Sequence, residues 1–161
     1  MKHILFVCTG NTCRSSMAEG IFKSELTKNP EIGDKFIVES AGVNAYDGDT
    51  ASANSIKVLK ERFGIDISGH RSKQINSDLV NKADLILTLT VGHRDMVVYN
   101  FPGARDKTFT IKEFVRKNSK GTKDTGSLDV RDPFGGSMEV YEKCAEEIAS
   151  EIRALMIVLK A

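Results

Sequence analysis

Apolar and polar positions along this chain fall into blocks whose period switches repeatedly between strand and helix. Ile4-Leu5-Phe6-Val7 is a continuous apolar run that reads as a buried strand. From Ser15 to about Lys28 the apolar residues Ala18, Ile21, Phe22 and Leu26 recur at helical spacing, with Glu19, Lys23 and Glu25 turned to solvent and Asn29-Pro30 as the stop. Lys35 to Glu39 reads as a second strand, closed by Ser40-Ala41-Gly42. After a loop from Val43 to Thr50, the shared face of Ser52, Ile56, Leu59 and Phe63 predicts a helix over Thr50 to Arg62 with Gly64 as its stop. Asn76-Ser77-Asp78-Leu79-Val80 suggests a short capped helix, and Asp84 to Thr90 a third strand. Gly92 to Tyr99 should be helical, with Met96, Val97 and Tyr99 as inward candidates and His93 as a surface or capping residue. Phe101-Pro102-Gly103 breaks it; Thr108 to Thr110 is a fourth strand and Ile111 to Lys117 a brief helix.

Asn118 to Val130, rich in Gly, Ser, Thr and charge, reads as a mobile loop whose Lys117, Lys120 and Lys123 form a solvated face. The last helix, about Ser137 to Lys160, carries Val140, Cys144, Ile148, Ile152, Leu155 and Leu159 on one face, which makes Cys144 a core residue. Four strands alternating with helices predict an α/β three-layer sandwich: a four-stranded parallel sheet with helices on both faces, in one domain over residues 1–161. If the strand order is 2-1-3-4, the crevice where connections diverge lies at the end of the first strand, where Cys8 stands.

That strand end carries the candidate chemistry. Cys8-Thr9-Gly10-Asn11-Thr12-Cys13-Arg14-Ser15 joins the first strand to the first helix, so backbone N–H groups between Thr9 and Arg14 can converge on one point before a helix N-terminus. Such a point binds an anion and favours the thiolate of Cys8. Arg14 brings a planar fork that matches two phosphate oxygens, and the Ser15 hydroxyl can bond the sulfur. Gly10 is read as the position that needs a backbone angle closed to other residues. The Gly-Lys-Ser/Thr ending of a nucleotide loop is absent. Read blandly, Cys8 would be a core cysteine and Arg14 a surface residue of the helix.

The loop resembles the signature of low-molecular-weight protein-tyrosine phosphatases, and Asp132-Pro133-Phe134-Gly135-Gly136-Ser137 resembles their distal acid loop. Within that family Thr12 and the Asp132 to Ser137 run are most similar to bacterial protein-arginine phosphatases. Ser16 departs from the Pro that commonly follows Arg-Ser, and the segment before Asp132 is several residues longer. The resemblance implies a cysteinyl-phosphate intermediate on Cys8, with Arg14 clamping the phosphoryl group and Asp132 acting first as acid and then as base. It implies substrate contacts from Thr9, Gly10, Asn11, Thr12, Cys13, Ser15 and Phe134, and an aromatic wall from the loop holding Asn44 and Tyr46. It also implies that Ser40 and His70 brace Asn11, although an ordinary strand-end serine and a polar turn remain alternative readings. Thr12 points to phosphoarginine, with phosphotyrosine as the alternative.

Composition narrows the remaining choices. Lys plus Arg number 23 against 22 Asp plus Glu, so no net field favours nucleic acid or an anionic membrane as partner. Three cysteines make no disulfide framework, and no apolar stretch suits a signal peptide or a membrane span, so a cytoplasmic protein is expected. Arsenate reduction would need a cysteine relay that Cys13 and Cys144 cannot supply, and a non-catalytic phospho-carrier would have no use for Asp132-Pro133. Cys13, in the same loop as Cys8, is a candidate for a reversible protective disulfide with it. No metal-ligand spacing or dinucleotide fingerprint is present, so no metal or cofactor is implied; the expected partners are phosphorylated proteins, and the expected state is a monomer.

Overall fold

The computed structural model describes residues 1–120 and 126–161. Four parallel strands, β1 (Lys2–Cys8), β2 (Phe36–Gly42), β3 (Leu85–Thr88) and β4 (Thr108–Thr110), form one sheet in the order β2-β1-β3-β4. The registers Cys8↔Gly42 and Val7↔Thr88 align the C-terminal ends of the three longest strands along one edge. β1 alternates between the two faces: Ile4, Phe6 and Cys8 enter one buried cluster, Leu5 and Val7 the other.

The larger cluster packs α1 (Arg14–Lys28), α3 (Ala53–Phe63), α6 (Ile111–Asn118) and α7 (Met138–Lys160) on the first face. The smaller packs α4 (Ser77–Lys82) and α5 (Val91–Asn100) on the second, which gives the three layers. Helix ends follow local chemistry: Ser52, Asn76, Thr90 and Ser137 cap α3, α4, α5 and α7, and Thr110 with Glu113 makes a capping box on α6. Gly64 closes α3 in the left-handed region, at φ 65°.

Several expectations need correction. α3 begins at Ala53 because the Ser52 side chain caps it, and β3 is only Leu85–Thr88 because Thr90 caps the next helix. β2 runs on through Gly42, which keeps its pairing with Cys8. Pro30 starts a further short helix, α2 (Pro30–Gly33), and Pro102 starts a 3₁₀ turn over Pro102–Lys107, since proline suits the first helical position. On α5 only Val97 of the three inward candidates is buried; Met96 is 44% and Tyr99 85% exposed, while His93 points inward. On α7 the buried face starts at Tyr141, leaving Val140 exposed.

Of the loop read as mobile, residues 121–125, Lys123 among them, lie outside the described residues, and Lys117 and Lys120 are exposed. The stretch from Gly126 to Val130 is tied down: Arg116 donates to Gly126 O and Ser127 O, Val91 N to Asp129, and Val130 N to Leu89 O. No helix among the described residues is long and apolar enough to cross a membrane.

Candidate active site

β1 delivers Cys8 to the edge of the sheet, where the chain turns through Thr9 to Cys13 and enters α1 at Arg14. β2 closes over this loop at backbone distance, with Val43 N donating to Cys8 O and Asn44 N to Thr9 O, each at 2.9 Å. A Cβ at Gly42 would lie 2.4 Å from Thr9 O, so only glycine permits the approach.

The left-handed residue of the loop is Asn11, at φ 58°, not Gly10, where a Cβ would make only an ordinary contact with Thr12 Oγ1 at 3.7 Å. Asparagine tolerates that conformation and here uses its amide to hold it. Asn11 Nδ2 donates to Ser15 Oγ at 2.7 Å and to Ser40 Oγ at 2.8 Å, while Lys73 N donates to its Oδ1 at 3.0 Å. His70 Nε2 donates to the backbone oxygen of Asn11 at 2.7 Å. The Ser40 hydroxyl donates to Glu19 Oε1 at 2.5 Å, so Glu19, expected at the surface, belongs to this network.

Ser15 Oγ lies 2.9 Å from Cys8 Sγ and 3.5 Å from Ala41 O; with Asn11 donating to it, its proton is free for the closer sulfur. Ser16, in the position of the family's proline, bonds Cys13 O at 2.8 Å inside the first turn. Cys13 Sγ sits 3.4 Å from both Ser52 Oγ and Tyr141 Oη. Burial and that sulfur push the Tyr141 hydroxyl up to about 12. Cys8, Cys13 and Cys144 are free thiols; burial pushes Cys144 up to about 12, as suits a core residue.

Arg14 is buried and aimed by its neighbours. Its Nη1 donates to Val130 O at 3.0 Å, and its Nη2 lies 3.4 Å from Thr9 Oγ1 and 3.6 Å from Asp132 Oδ2. Its Nε–H is buried without a partner among the described residues, so the Nε and Nη2 edge is the one offered to an anion. Asp132 is held at the rim by Phe134 N, which donates to Oδ1 at 3.0 Å. Behind Thr9 lies His93, whose Nε2 is 2.8 Å from Thr9 Oγ1. Burial first, then the Arg14 charge, hold the imidazole down to about 4.

These groups open onto a cleft of about 360 Å³. Cys8, Thr9, Gly10, Thr12, Cys13 and Arg14 line its floor, and Asn44, Tyr46, Asp49, Asp132 and Phe134 its rim. Asn11, Ser15, Ser40 and His70 stand outside it as supports. The sequence pattern does not single out Asp49, and it reads His93 only as a surface or capping residue, whereas the ring is buried behind Thr9. A signal existed for both: each follows the C-terminal end of a strand flanking β1, at the crevice edge. The described residues contain no group of three or more His, Cys, Asp or Glu that could hold a metal ion.

Fold and site together define an α/β phosphate-loop protein of the cysteine and arginine type. The chain belongs to the low molecular weight phosphotyrosine protein phosphatase family, whose model matches residues 3–161. It is 44% identical to the protein-arginine-phosphatase of Geobacillus stearothermophilus over 94% of this chain and 92% of that one. It is 35% identical to the low molecular weight protein-tyrosine-phosphatase PtpB of Staphylococcus epidermidis (strain ATCC 35984), over 90% of each. Among solved structures it matches a Cys-to-Ser mutant of the YwlE arginine phosphatase with a phosphorylated active-site serine. That match has a TM-score of 0.85 and 37% identity over 98% of this chain and 95% of that one.

Proposed function

We propose that residues 1–161 act as one phosphatase domain that hydrolyses phosphoarginine on proteins through a cysteinyl-phosphate intermediate. The observation that carries this reading is the convergence of Cys8, Arg14 and Asp132 on one cleft, with Arg14 Nη2 3.6 Å from Asp132 Oδ2. The Cys8 thiolate attacks phosphorus, the P–N bond breaks, and its electron pair goes to the guanidine nitrogen, which takes the proton of the Asp132 carboxyl. Asp132, now a carboxylate, takes a proton from the water that attacks the phosphocysteine; the S–P bond breaks and inorganic phosphate leaves. Arg14 and the loop amides hold the equatorial oxygens in both steps, and the Ser15 hydroxyl, 2.9 Å from Sγ, stabilises the departing thiolate.

Two features support phosphoarginine. The small hydroxyl side chain of Thr12 forms part of the floor, and Asp49 and Asp132 make the rim acidic, which suits a guanidinium. The relative at 44% identity carries the same activity in its name. A second reading, phosphotyrosine, is favoured by Tyr46 and Phe134, which stand 81% and 78% exposed at the rim and can face a phenol ring. The test compares kcat/KM for phosphoarginine and phosphotyrosine peptides in the wild type and in Thr12→Ile. Preference of the wild type for phosphotyrosine, or no shift toward it in Thr12→Ile, defeats the arginine assignment.

A further inference from the structure

Thr9 Oγ1 stands between two nitrogens, one from Arg14 and one from His93. Arg14 Nη2, which has hydrogens to give and no acceptor, lies 3.4 Å from Thr9 Oγ1, and His93 Nε2 lies 2.8 Å from it. The imidazole is buried at the first turn of α5, 6% exposed. The charged groups acting on it are Arg14 from α1 and Asp129 and Asp132 from the segment leading into α7. With its pKa held down to about 4 the ring is neutral near pH 7 and carries one proton. That proton belongs on Nε2, because Nδ1 is buried without a partner among the described residues. An orphan acceptor there is cheaper than an orphan donor.

Nε2–H therefore donates to Thr9 Oγ1, Arg14 Nη2 donates to it as well, and the hydroxyl has only its own proton left to give. Thr9 is exposed and lines the cleft with Cys8 and Arg14, so the open direction for that proton is the cleft. An unrestrained threonine hydroxyl rotates among staggered positions. With both lone pairs filled, one orientation remains, and it is set before substrate arrives.

The geometry points to Thr9 as a further catalytic donor, its hydroxyl bonding an oxygen of the phosphoryl group in transfer, with His93 as the positioning residue that keeps the O–H aimed there. The inference rests on the phosphatase reading of the cleft and is independent of the choice between arginine and tyrosine. Its test therefore uses p-nitrophenyl phosphate and orthovanadate, which probe the phosphoryl site whatever the protein substrate.

Thr9→Val, close in shape, should lower kcat/KM about 10- to 100-fold and weaken orthovanadate inhibition by a similar factor. Thr9→Ser should stay within about threefold of the wild type, since it keeps the donor. His93→Leu should lower kcat/KM several-fold in the wild-type background and have no further effect in Thr9→Val, while His93→Gln, with an amide N–H near the position of Nε2, should restore most of the loss. An unchanged Thr9→Val beside an active wild type overturns the donor role alone. Equal losses in Thr9→Val and Thr9→Ser overturn it too, and so does ¹⁵N NMR placing the His93 proton on Nδ1. A wild type inactive on every phosphate ester overturns both this inference and the phosphatase reading. Because Thr9 is exposed, its two variants decide the matter even if a His93 variant fails to fold.

Discussion

The floor of the cleft and its rim are built in opposite ways. On the floor side Asn11, Ser15 and Ser40 are fully buried, and Asn11 alone is bonded to Ser15, Ser40, Lys73 and His70. At the rim Tyr46, Asp49, Asp132 and Phe134 are exposed, and Asp132 is fixed by one backbone bond and an ion pair with Arg14 at 3.6 Å. The difference follows from what each must recognise. Every phosphoryl group presents the same oxygens, so their donors can be locked in advance; leaving groups vary, so the groups that meet them stand on less constrained chain. Floor substitutions should lower the rate on all substrates, and rim substitutions should reorder substrates.

The largest effects are expected at the floor. Cys8→Ser and Arg14→Ala should each reduce kcat by about 10⁴-fold or more, with circular dichroism and Tm near those of the wild type, because one removes the nucleophile and the other the clamp. Near-wild-type turnover by Cys8→Ser would end the covalent mechanism. Asp132→Asn comes next, at ~10²- to 10⁴-fold. Being a rim residue, it should show the contrast directly: the loss should be steepest for poor leaving groups, and a uniform loss across a leaving-group series would take Asp132 out of the acid role.

The supports of the floor should matter less than the floor itself. Asn11→Ala leaves a left-handed φ on a residue that resists it, takes one donor each from Ser15 and Ser40, and leaves Lys73 N without its Oδ1 acceptor, a cost of about 2 to 4 kcal/mol. A lower Tm should accompany a loss of about 10- to 100-fold in kcat on arginine and tyrosine substrates alike. Unequal losses would contradict the division between floor and rim.

His93 adds a pH dependence. Its folded pKa of about 4 lies below the unfolded 6.5, so between those values the unfolded chain binds more protons and stability falls as pH falls. The contribution is fully present above about pH 6.5 and lost progressively toward pH 4. Chemical denaturation across that window should show a slope that His93→Gln flattens; an unchanged slope would mean the ring is solvated.

How much of this was legible before the structure depends on whether a feature is local. The anion loop is contiguous, bounded by an apolar run and a helical period, so the strand, turn and helix start that carry Cys8 and Arg14 could be read directly, whereas the strand order 2-1-3-4, which no local pattern specifies, entered only as a supposition that the sheet matches. Helix phase was harder. On α5 the period admits Met96 or His93 as an inward partner of Val97, and the sheet, not the pattern, decides for His93. On α7 Val140 and Tyr141 are adjacent, one position of helix phase apart, and contact with Cys13 selects the tyrosine. The strained loop position fell on Asn11 because long-range partners, Ser40 and Lys73, repay the conformation, and no residue near Gly10 announces them.

The smallest expected effect tests the rim most sharply. Asp49 is held at the cleft by its backbone, its N–H donating to Ser72 Oγ at 3.0 Å and its carbonyl accepting from Ser72 N at 2.7 Å, which leaves the carboxylate at the opening. A phosphoarginine side chain keeps a positive guanidinium beside the phosphoryl group, whereas a phosphotyrosine side chain has no cation to pair. An exposed pair of this kind is worth about 0.5 to 1 kcal/mol, so Asp49→Asn should lower kcat/KM for phosphoarginine peptides about two- to fivefold and leave phosphotyrosine peptides unchanged. The difference should shrink in high salt, because exposed charges are screened. Since the substitution keeps the side chain's shape and the Ser72 bonds are to backbone, a loss shared by both substrates would mean that Asp49 shapes the loop instead of reading the guanidinium.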